Sequence, residues 1–579
     1  MRRLGKRSNA RTCDFVPCRC GRSYKEKESL IKTQGGAANA SPPEKTVYME
    51  NSSRFGVMLD CSRNAVMKPQ KIKEFIDILA EIGYNTLELY MEDTYEVEGE
   101  PYFGYLRGGY STTELKDLDK YAAEKGIELV PSIQTLAHFN NLAKLPHYED
   151  IIDIGDILLV ENDKTYALID KMFASLSKTF TSRIVNIGMD EAHYIGLGKY
   201  LDEHGYKNRY ELLLGHLERV AEIADKYGFT LHMWSDMFFR IENCGKYYGK
   251  DLCVSENLSE KIPANVELVY WDYYHTETED YETMMKAHKA IKNDFWFAGG
   301  AWCWGGFAPF NGYTLKSMKA AMQAVNKFNV KNVFITMWGD DGKECSFFAL
   351  LPSLYAVKQY SLGIFDEEKI ADGFKATFGI DFYDFLLLDI PNLLPVKHEE
   401  LETPCKAFLY SDPFLGLLDD LAEEEGKIAY GEYAEKLTKA AGVEGKYGYI
   451  FTALSSLCRV LELKYNLGVR IRKTYKAGDR AGIADICCDV SEVVIRLKRF
   501  YKDYRNLWYT ENKPFGFEIQ DARLGGLLMR LESCKDRLES YVKGEIETID
   551  ELETPILPYR DNPTLYFSIY RGLISPSEI

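Results

Sequence analysis

From about residue 54, apolar positions fall into two alternating spacings. Short unbroken apolar runs, such as Phe55–Asp60, are followed by stretches such as Ile72, Phe75, Ile76, Leu79 and Ile82, which recur at helical intervals. Pro69 suits the first turn of that helix, and Gly83 its end. The unit then repeats. Further strands are predicted at Tyr84–Tyr90, Ile127–Ile133, Ile184–Gly188, Phe229–Trp234, Val266–Trp271, Phe295–Ala301 and Val333–Trp338. Helices are predicted over 112–125, 163–180, 208–227, 279–292, 313–327 and 344–360. Eight strand–helix units in strict alternation predict a closed parallel barrel. The strands are apolar nearly throughout, as expected where both faces are covered.

Beyond about residue 365 strand-like runs become scarce, and long helical patterns cover 446–476, 480–507 and 517–542. The predicted fold is therefore α/β: a (β/α)8 barrel over 51–362, followed by an all-helical domain over 363–579. Gln520, Asp521 and Arg523 open the last long helix; they read first as a solvated helix start, with reach to a neighbouring surface as the alternative. Residues 1–50 differ from the rest. They carry 11 lysines and arginines against 5 acidic residues, with no apolar stretch behind the basic ones. This segment does not read as a secretory signal, and 33–44 has the composition of a linker.

Bulk composition narrows the function classes. The 579 residues are 46% hydrophobic and 27% charged, ordinary for a globular protein, with a net charge of −17. That charge argues against nucleic acid or an anionic membrane as partner, and no apolar run reaches membrane-spanning length. Thirteen cysteines, an odd number at scattered spacings, suit a reducing compartment and predict a cytoplasmic protein. Cys13, Cys18 and Cys20 lack a fourth ligand at zinc-finger spacing, and the Cys487–Cys488 pair reads as helix core.

Barrels of this kind carry functional groups at the C-terminal ends of their strands. Those ends hold Asp60 with Arg63 nearby, Glu92 and Asp93, His138, Gly188-Met189-Asp190-Glu191, Trp234 and Asp236, Trp271-Asp272-Tyr273-Tyr274, Trp302 and Trp304, and Trp338-Gly339-Asp340. Five of the seven tryptophans fall on this rim. A lone tryptophan is usually core; five at one rim suit a sugar, whose ring faces stack on aromatics and whose hydroxyls need carboxylates. Neighbouring residues on a strand point to opposite faces. Asp190 and Glu191 can therefore serve one site only if the backbone leaves strand geometry, which Gly188 makes easier.

The run Ile187-Gly188-Met189-Asp190-Glu191-Ala192-His193 resembles the catalytic motif of glycoside hydrolase family 20, the β-N-acetylhexosaminidases. Met58-Leu59-Asp60-Cys61-Ser62-Arg63, His138 and Trp338-Gly339-Asp340 add to the resemblance, which covers roughly 54–360. The helical C-terminal part is similar to that of a bacterial branch of the family, and that branch implies a homodimer. The family uses the substrate's own 2-acetamido oxygen as nucleophile, through an oxazolinium intermediate.

Carried onto this chain, the resemblance implies Glu191 as general acid and then base, and Asp190 as the group that orients the acetamide and stabilises its developing charge. Glu191 must enter the reaction protonated and Asp190 ionised. Trp338 and Trp271 are implied as acetamide or ring walls, with Trp234 and Trp302 on the same rim. Tyr273 or Tyr274 would donate to the acetamido oxygen, Glu92 and Asp340 would hold sugar hydroxyls, and His138 would stand behind them. Three departures stand out. Met189 replaces the Gly of many relatives, and Asp340 replaces a Glu. The family's Arg four residues before the strand-one Asp is here Gly56, leaving Arg54 or Arg63 to take its place. No metal or organic cofactor is implied. The expected activity is exo-acting release of terminal β-linked GlcNAc or GalNAc from glycans. Another acetamido-sugar hydrolase, chitinase-like or O-GlcNAcase-like, and a non-catalytic sugar-binding barrel are the competing readings.

Overall fold

The computed structural model describes residues 53–255, 257–292, 294–394, 403–425, 427–443, 445–557, 569–575 and 577. The basic segment 1–50, with its linker and Cys13, Cys18 and Cys20, lies outside the described residues. Eight apolar strands form: β1 (Arg54–Asp60), β2 (Thr86–Tyr90), β3 (Glu128–Ser132), β4 (Ile184–Asn186), β5 (Thr230–Trp234), β6 (Val266–Trp271), β7 (Trp296–Gly300) and β8 (Asn332–Met337). They close into a barrel in chain order. Every barrel pairing is parallel, and β1 meets β8 from Arg54↔Asn332 to Leu59↔Met337.

The helices follow from the pattern that predicts them. In α1 (Pro69–Ile82) the predicted stripe of Ile72, Phe75, Ile76, Leu79 and Ile82 is the buried face. Gly83 ends it at φ 91°, a left-handed conformation that favours glycine. α2 (Thr112–Glu124) begins at a capping box between Ser111 and Glu114. α3 (Asp163–Thr179) and α4 (Arg209–Asp225) follow β3 and β4. The fifth unit departs from the predicted repeat: β5 runs into one short helix, α5 (Asp236–Arg240), with a four-residue helix at Leu258–Lys261 before β6. The regular repeat resumes with α6 (Thr278–Ile291), α7 (Asn311–Phe328) and α8 (Leu351–Ser361).

The barrel interior is not wholly apolar. Glu88 on β2 and His232 on β5 face each other at 3.1 Å, both fully buried. His232 also stacks on Trp296 with ring centroids 4.5 Å apart.

The C-terminal region is helical. Its described helices include α9 (Pro404–Tyr410), α10 (Gly448–Lys464), α11 (Leu467–Lys476), α12 (Arg480–Glu511) and α13 (Phe517–Lys543). The single helix predicted over 446–476 is broken at Tyr465–Asn466 into α10 and α11. Of the predicted core pair on α12, Cys487 is buried and Cys488 exposed. The turn between α12 and α13 docks on the barrel: Asn512 bridges Met67, and Lys513 N–H donates to Val66 O at 2.8 Å.

Candidate active site

β4 stops at Asn186, and the chain then turns through left-handed backbone at Gly188 (φ 70°), Met189 (φ 68°) and Glu191 (φ 52°). The predicted break from strand geometry is therefore real, and it brings both carboxylates to one cavity. Only glycine fits at 188, where a Cβ would lie 2.0 Å from Gln134 Oε1. Met189 and Glu191 adopt a backbone that costs non-glycine residues free energy. Two other rim residues, Glu92 (φ 44°) and His138 (φ 62°), share that conformation. Such clustering is a mark of functional sites.

The cavity, about 180 Å³, opens at the C-terminal mouth of the barrel. Asp190 and Glu191 lie on one side with His138. Asp190 Oδ2 meets His138 Nε2 at 3.0 Å, and its Oδ1 accepts from Gln134 Nε2 at 2.8 Å. Gln134 also receives the Met189 N–H at 3.1 Å, so one amide fixes both the turn and the carboxylate. Glu191 has a side chain 47% exposed, against 13% for Asp190. Its backbone N–H donates to Asp236 Oδ2 at 3.3 Å, and Arg240 Nε donates to that same oxygen at 2.9 Å.

Arg63 and Asp340 form a second polar group in the lining. Arg63 Nη1 meets Asp340 Oδ1 at 3.1 Å, and Arg63 Nε meets Glu92 Oε1 at 3.1 Å. Arg54 instead pairs with Glu128 at the start of the barrel strands, so Arg63 is the arginine that reaches the cavity. Asp60 is a buried hydrogen-bonding group. It accepts from Ser62 N–H and Gly339 N–H, each at 2.8 Å, and so ties the β1 loop to the β8 loop.

Aromatic rings make the walls: Trp234, Trp271, Tyr273, Tyr274, Trp304 and Trp338. Trp271 stacks on Tyr273 (5.2 Å), and Trp338 meets Tyr90 edge-on (4.8 Å). Gly300 leaves room for this packing, since a Cβ there would fall within 2.9 Å of Tyr273 and Trp304. Both predicted tyrosines line the cavity, Tyr273 buried and Tyr274 45% exposed. Asp272 sets their turn by accepting from the N–H of Tyr274 at 3.1 Å and from the Tyr270 hydroxyl at 2.7 Å.

Two expectations need correction. Trp302 does not line the cavity. It is fully buried, donates Nε1–H to Tyr273 O at 2.7 Å and stacks behind Trp304 at 4.1 Å. β7 ends at Gly300, so strand alternation no longer governs which ring faces inward. Glu92 is also outside the lining. It is 5% exposed and accepts from Arg63 and from the Tyr90 hydroxyl, so it supports the arginine. Gln134 is the residue that the reading of strand ends lacks, whereas Arg63, Asp236 and Trp304 stand at the noted strand ends without an assigned sugar contact. The signal for Gln134 was its position just past the end of β3.

Charge is distributed unequally around the cavity. Burial opposes ionisation of Asp190, but the neighbouring His138 and the Gln134 hydrogen bond outweigh it and hold the carboxyl below its usual range. Burial likewise opposes protonation of His138, yet Asp190 raises it to about 9. Burial and then Asp190 push Asp236 up to about 7, against the pull of Arg240. Burial lifts Asp340 to about 6, with Arg63 opposing. His138, Asp190 and Glu191 place possible ligand atoms within 4.8 Å of one another. A protonated His138 paired to Asp190 is no metal ligand, so a cation could enter only by breaking that pair.

Fold and site place the chain among the (β/α)8 barrels that carry an acidic pair in an aromatic-walled mouth. The chain belongs to glycoside hydrolase family 20: residues 54–297 match the model of the glycosyl hydrolase family 20 catalytic domain, and 383–568 that of the glycoside hydrolase 20C C-terminal domain. Hexosaminidase D of Bos taurus is 24% identical over 212 residues, covering 35% of this chain and 58% of that protein. Beta-hexosaminidase of Vibrio furnissii is 27% identical over 267 residues, covering 38% and 42%. The chain thus spans about half the length of the curated relatives it matches. The solved GH20 beta-N-acetylhexosaminidase of Streptomyces coelicolor A3(2) overlays with a TM-score of 0.42 at 18% identity, over 56% of this chain and 69% of that one. The catalytic-domain match stops within β7, so Trp304, Trp338 and Asp340 join the site through the fold rather than through the match.

Proposed function

We propose that the chain is an exo-acting, retaining β-N-acetylhexosaminidase that removes terminal β-linked GlcNAc or GalNAc by substrate-assisted hydrolysis. One observation carries this reading: two adjacent carboxylates in one cavity have opposite environments. Asp190 is enclosed and has a donor on each oxygen, which suits it to accept an amide N–H rather than to attack carbon. Glu191 is half exposed at the mouth, where a leaving group departs. The nucleophile is then the acetamido oxygen of the sugar. Its attack on the anomeric carbon gains from proximity, on the order of several kcal/mol. Glu191 gives a proton to the leaving oxygen and takes one back from water. Asp190 balances the positive charge on the ring-closed intermediate. Tyr273, Tyr274, Trp271 and Trp338 enclose the acetamide and the ring, and Arg63 and Asp340 bind hydroxyls on the far edge. A small cavity closed by aromatic rings suits one terminal sugar.

The same reading includes a homodimer and a reducing, cytoplasmic setting; the ten described cysteines are free thiols, which supports the latter. Light scattering of the purified chain tests the dimer. The activity is tested with aryl β-GlcNAc, β-GalNAc and β-glucoside substrates, alongside Glu191→Gln and Asp190→Asn. The expected result is cleavage of the N-acetyl sugars alone, its loss in Asp190→Asn and a smaller fall in Glu191→Gln, since an activated aryl group departs with little help from a proton. Equal rates on the glucoside would overturn the substrate-assisted step, and full activity in both variants would overturn the site.

A further inference from the structure

The loop after β8 carries Trp338 and Asp340 into the cavity, then leaves the barrel through residues 341–344. Each of these four meets a side chain from the helical region. Asp341 receives Lys406 Nζ at 3.1 Å on one oxygen and Arg523 Nη2 at 2.9 Å on the other. Glu344 meets the same two cations, Lys406 at 2.8 Å and Arg523 Nη1 at 3.2 Å. Gln520 Nε2 donates to Gly342 O at 3.1 Å, and Lys343 Nζ lies 3.9 Å from Glu511 Oε2. Gly342 sits at φ 109°, where a Cβ would fall 2.6 Å from Arg523 Nη1. Two cations and two anions thus balance in a mostly enclosed cluster directly behind Asp340. Gln520 and Arg523 do not form a solvated helix start: Gln520 is fully buried, and the Arg523 side chain is 11% exposed.

The other partner of Asp340 is held from the same direction. Arg63 is followed by Asn64, whose carbonyl lies so close to Gly516 that a Cβ there would be 2.2 Å away. Lys513 N–H then bonds Val66 O. The α12–α13 turn and the start of α13 therefore back both loops whose tips meet in the Arg63–Asp340 pair.

We infer that Arg523, with Lys406 and Gln520, is a positioning residue for sugar recognition, so that the helical region sets how Asp340 and Arg63 meet the substrate. The inference rests on the proposed hexosaminidase reading. Its physical basis is reach. Asp340 has a single methylene between backbone and carboxylate, so the placement of its backbone decides whether the carboxylate meets both Arg63 and a sugar hydroxyl. A displacement near 1 Å is enough to cost a large factor in binding or rate. The bidentate fork of Arg523 fixes a plane, which a lysine cannot do.

The test compares wild type, Arg523→Ala, Arg523→Lys and Gln520→Leu on aryl β-GlcNAc and β-GalNAc, with kcat, KM and Tm measured for each. Arg523→Ala should raise KM about tenfold with kcat changed by less than about threefold, and shift the GlcNAc/GalNAc ratio by about threefold or more. Arg523→Lys should recover part of both. A folded Arg523→Ala protein with wild-type KM and ratio overturns the inference, as does a loss confined to kcat. If the alanine variant does not fold, Arg523→Lys and Gln520→Leu decide: smaller shifts in the same direction support it, and unchanged KM and ratio in both overturn it. Wild-type protein inactive on both aryl sugars overturns the functional reading first, a result separable from any difference among variants.

Discussion

The two sides of the cavity are built by different means. The Asp190–Glu191 side is held from within the barrel, by Gln134 on the β3 loop, Asp236 after β5 and three left-handed residues in a row of four. The Arg63–Asp340 side is held by Glu92 and Asp60 of the barrel and, in addition, by charged groups on helices far along the chain that grip the loop just after Asp340. Proton transfer tolerates little movement, and internal hydrogen bonds with strained backbone supply that rigidity. If that side reads sugar hydroxyls, as proposed, a side chain on a separate helix can alter recognition with less disturbance of Asp190 and Glu191.

The largest expected effect lies on the chemical side. Glu191→Gln should lower kcat on alkyl glycosides by about 10³–10⁴, at the upper end for a positioned proton donor. The loss should be much smaller for aryl leaving groups that depart without a proton. Equal losses on both would remove the acid role. Asp190→Asn should lower kcat by about 10²–10³, because a preorganised charge disappears while the shape remains. Steady-state kinetics on β-GlcNAc substrates measures it, and a change confined to KM would contradict the assignment.

Smaller effects are expected on the recognition side. Arg63→Lys should raise KM about tenfold with little change in kcat, since the fork spanning Glu92 and Asp340 is lost. A kcat effect as large as that of Asp190→Asn would abolish the division between the two sides. The smallest effect concerns pH. His138 is raised from an ordinary 6.5 to about 9. Its stabilisation is complete below about pH 6.5 and is lost as pH rises through 9. Thermal melts of wild type should therefore fall between pH 7 and pH 10 by on the order of 1–3 °C more than those of His138→Gln. Parallel melts would show that the His138–Asp190 pair is not ionised.

Most of the barrel was legible because its strands are unbroken apolar runs between glycine stops, and a long run has one way to be buried. The fifth unit was less so, because β5 opens directly into a five-residue helix too short to leave a periodic pattern. At the site, Asp190, Glu191, Trp338 and Asp340 could be read from local motifs. Trp302 and Trp304 could not be told apart, since beyond Gly300 the backbone rather than alternation decides which ring turns inward. The contacts of Gln520 and Arg523 were invisible for another reason. They join residues about 180 positions apart, and no local spacing encodes a partner at that distance.

The Arg63–Asp340 pair has one more consequence. β1 and β8 are the first and last strands, and the pair spans 277 residues across the seam where the cylinder closes. Under the proposed reading, a sugar bound to both groups would act as a clasp on the seam between the first and last strands. Ligand at 100 times its Kd would add about 2.7 kcal/mol to the folded state, and most of that protection should fall on hydrogen exchange along β1 and β8. Occupancy of the proposed sugar site would then be linked to closure of the barrel.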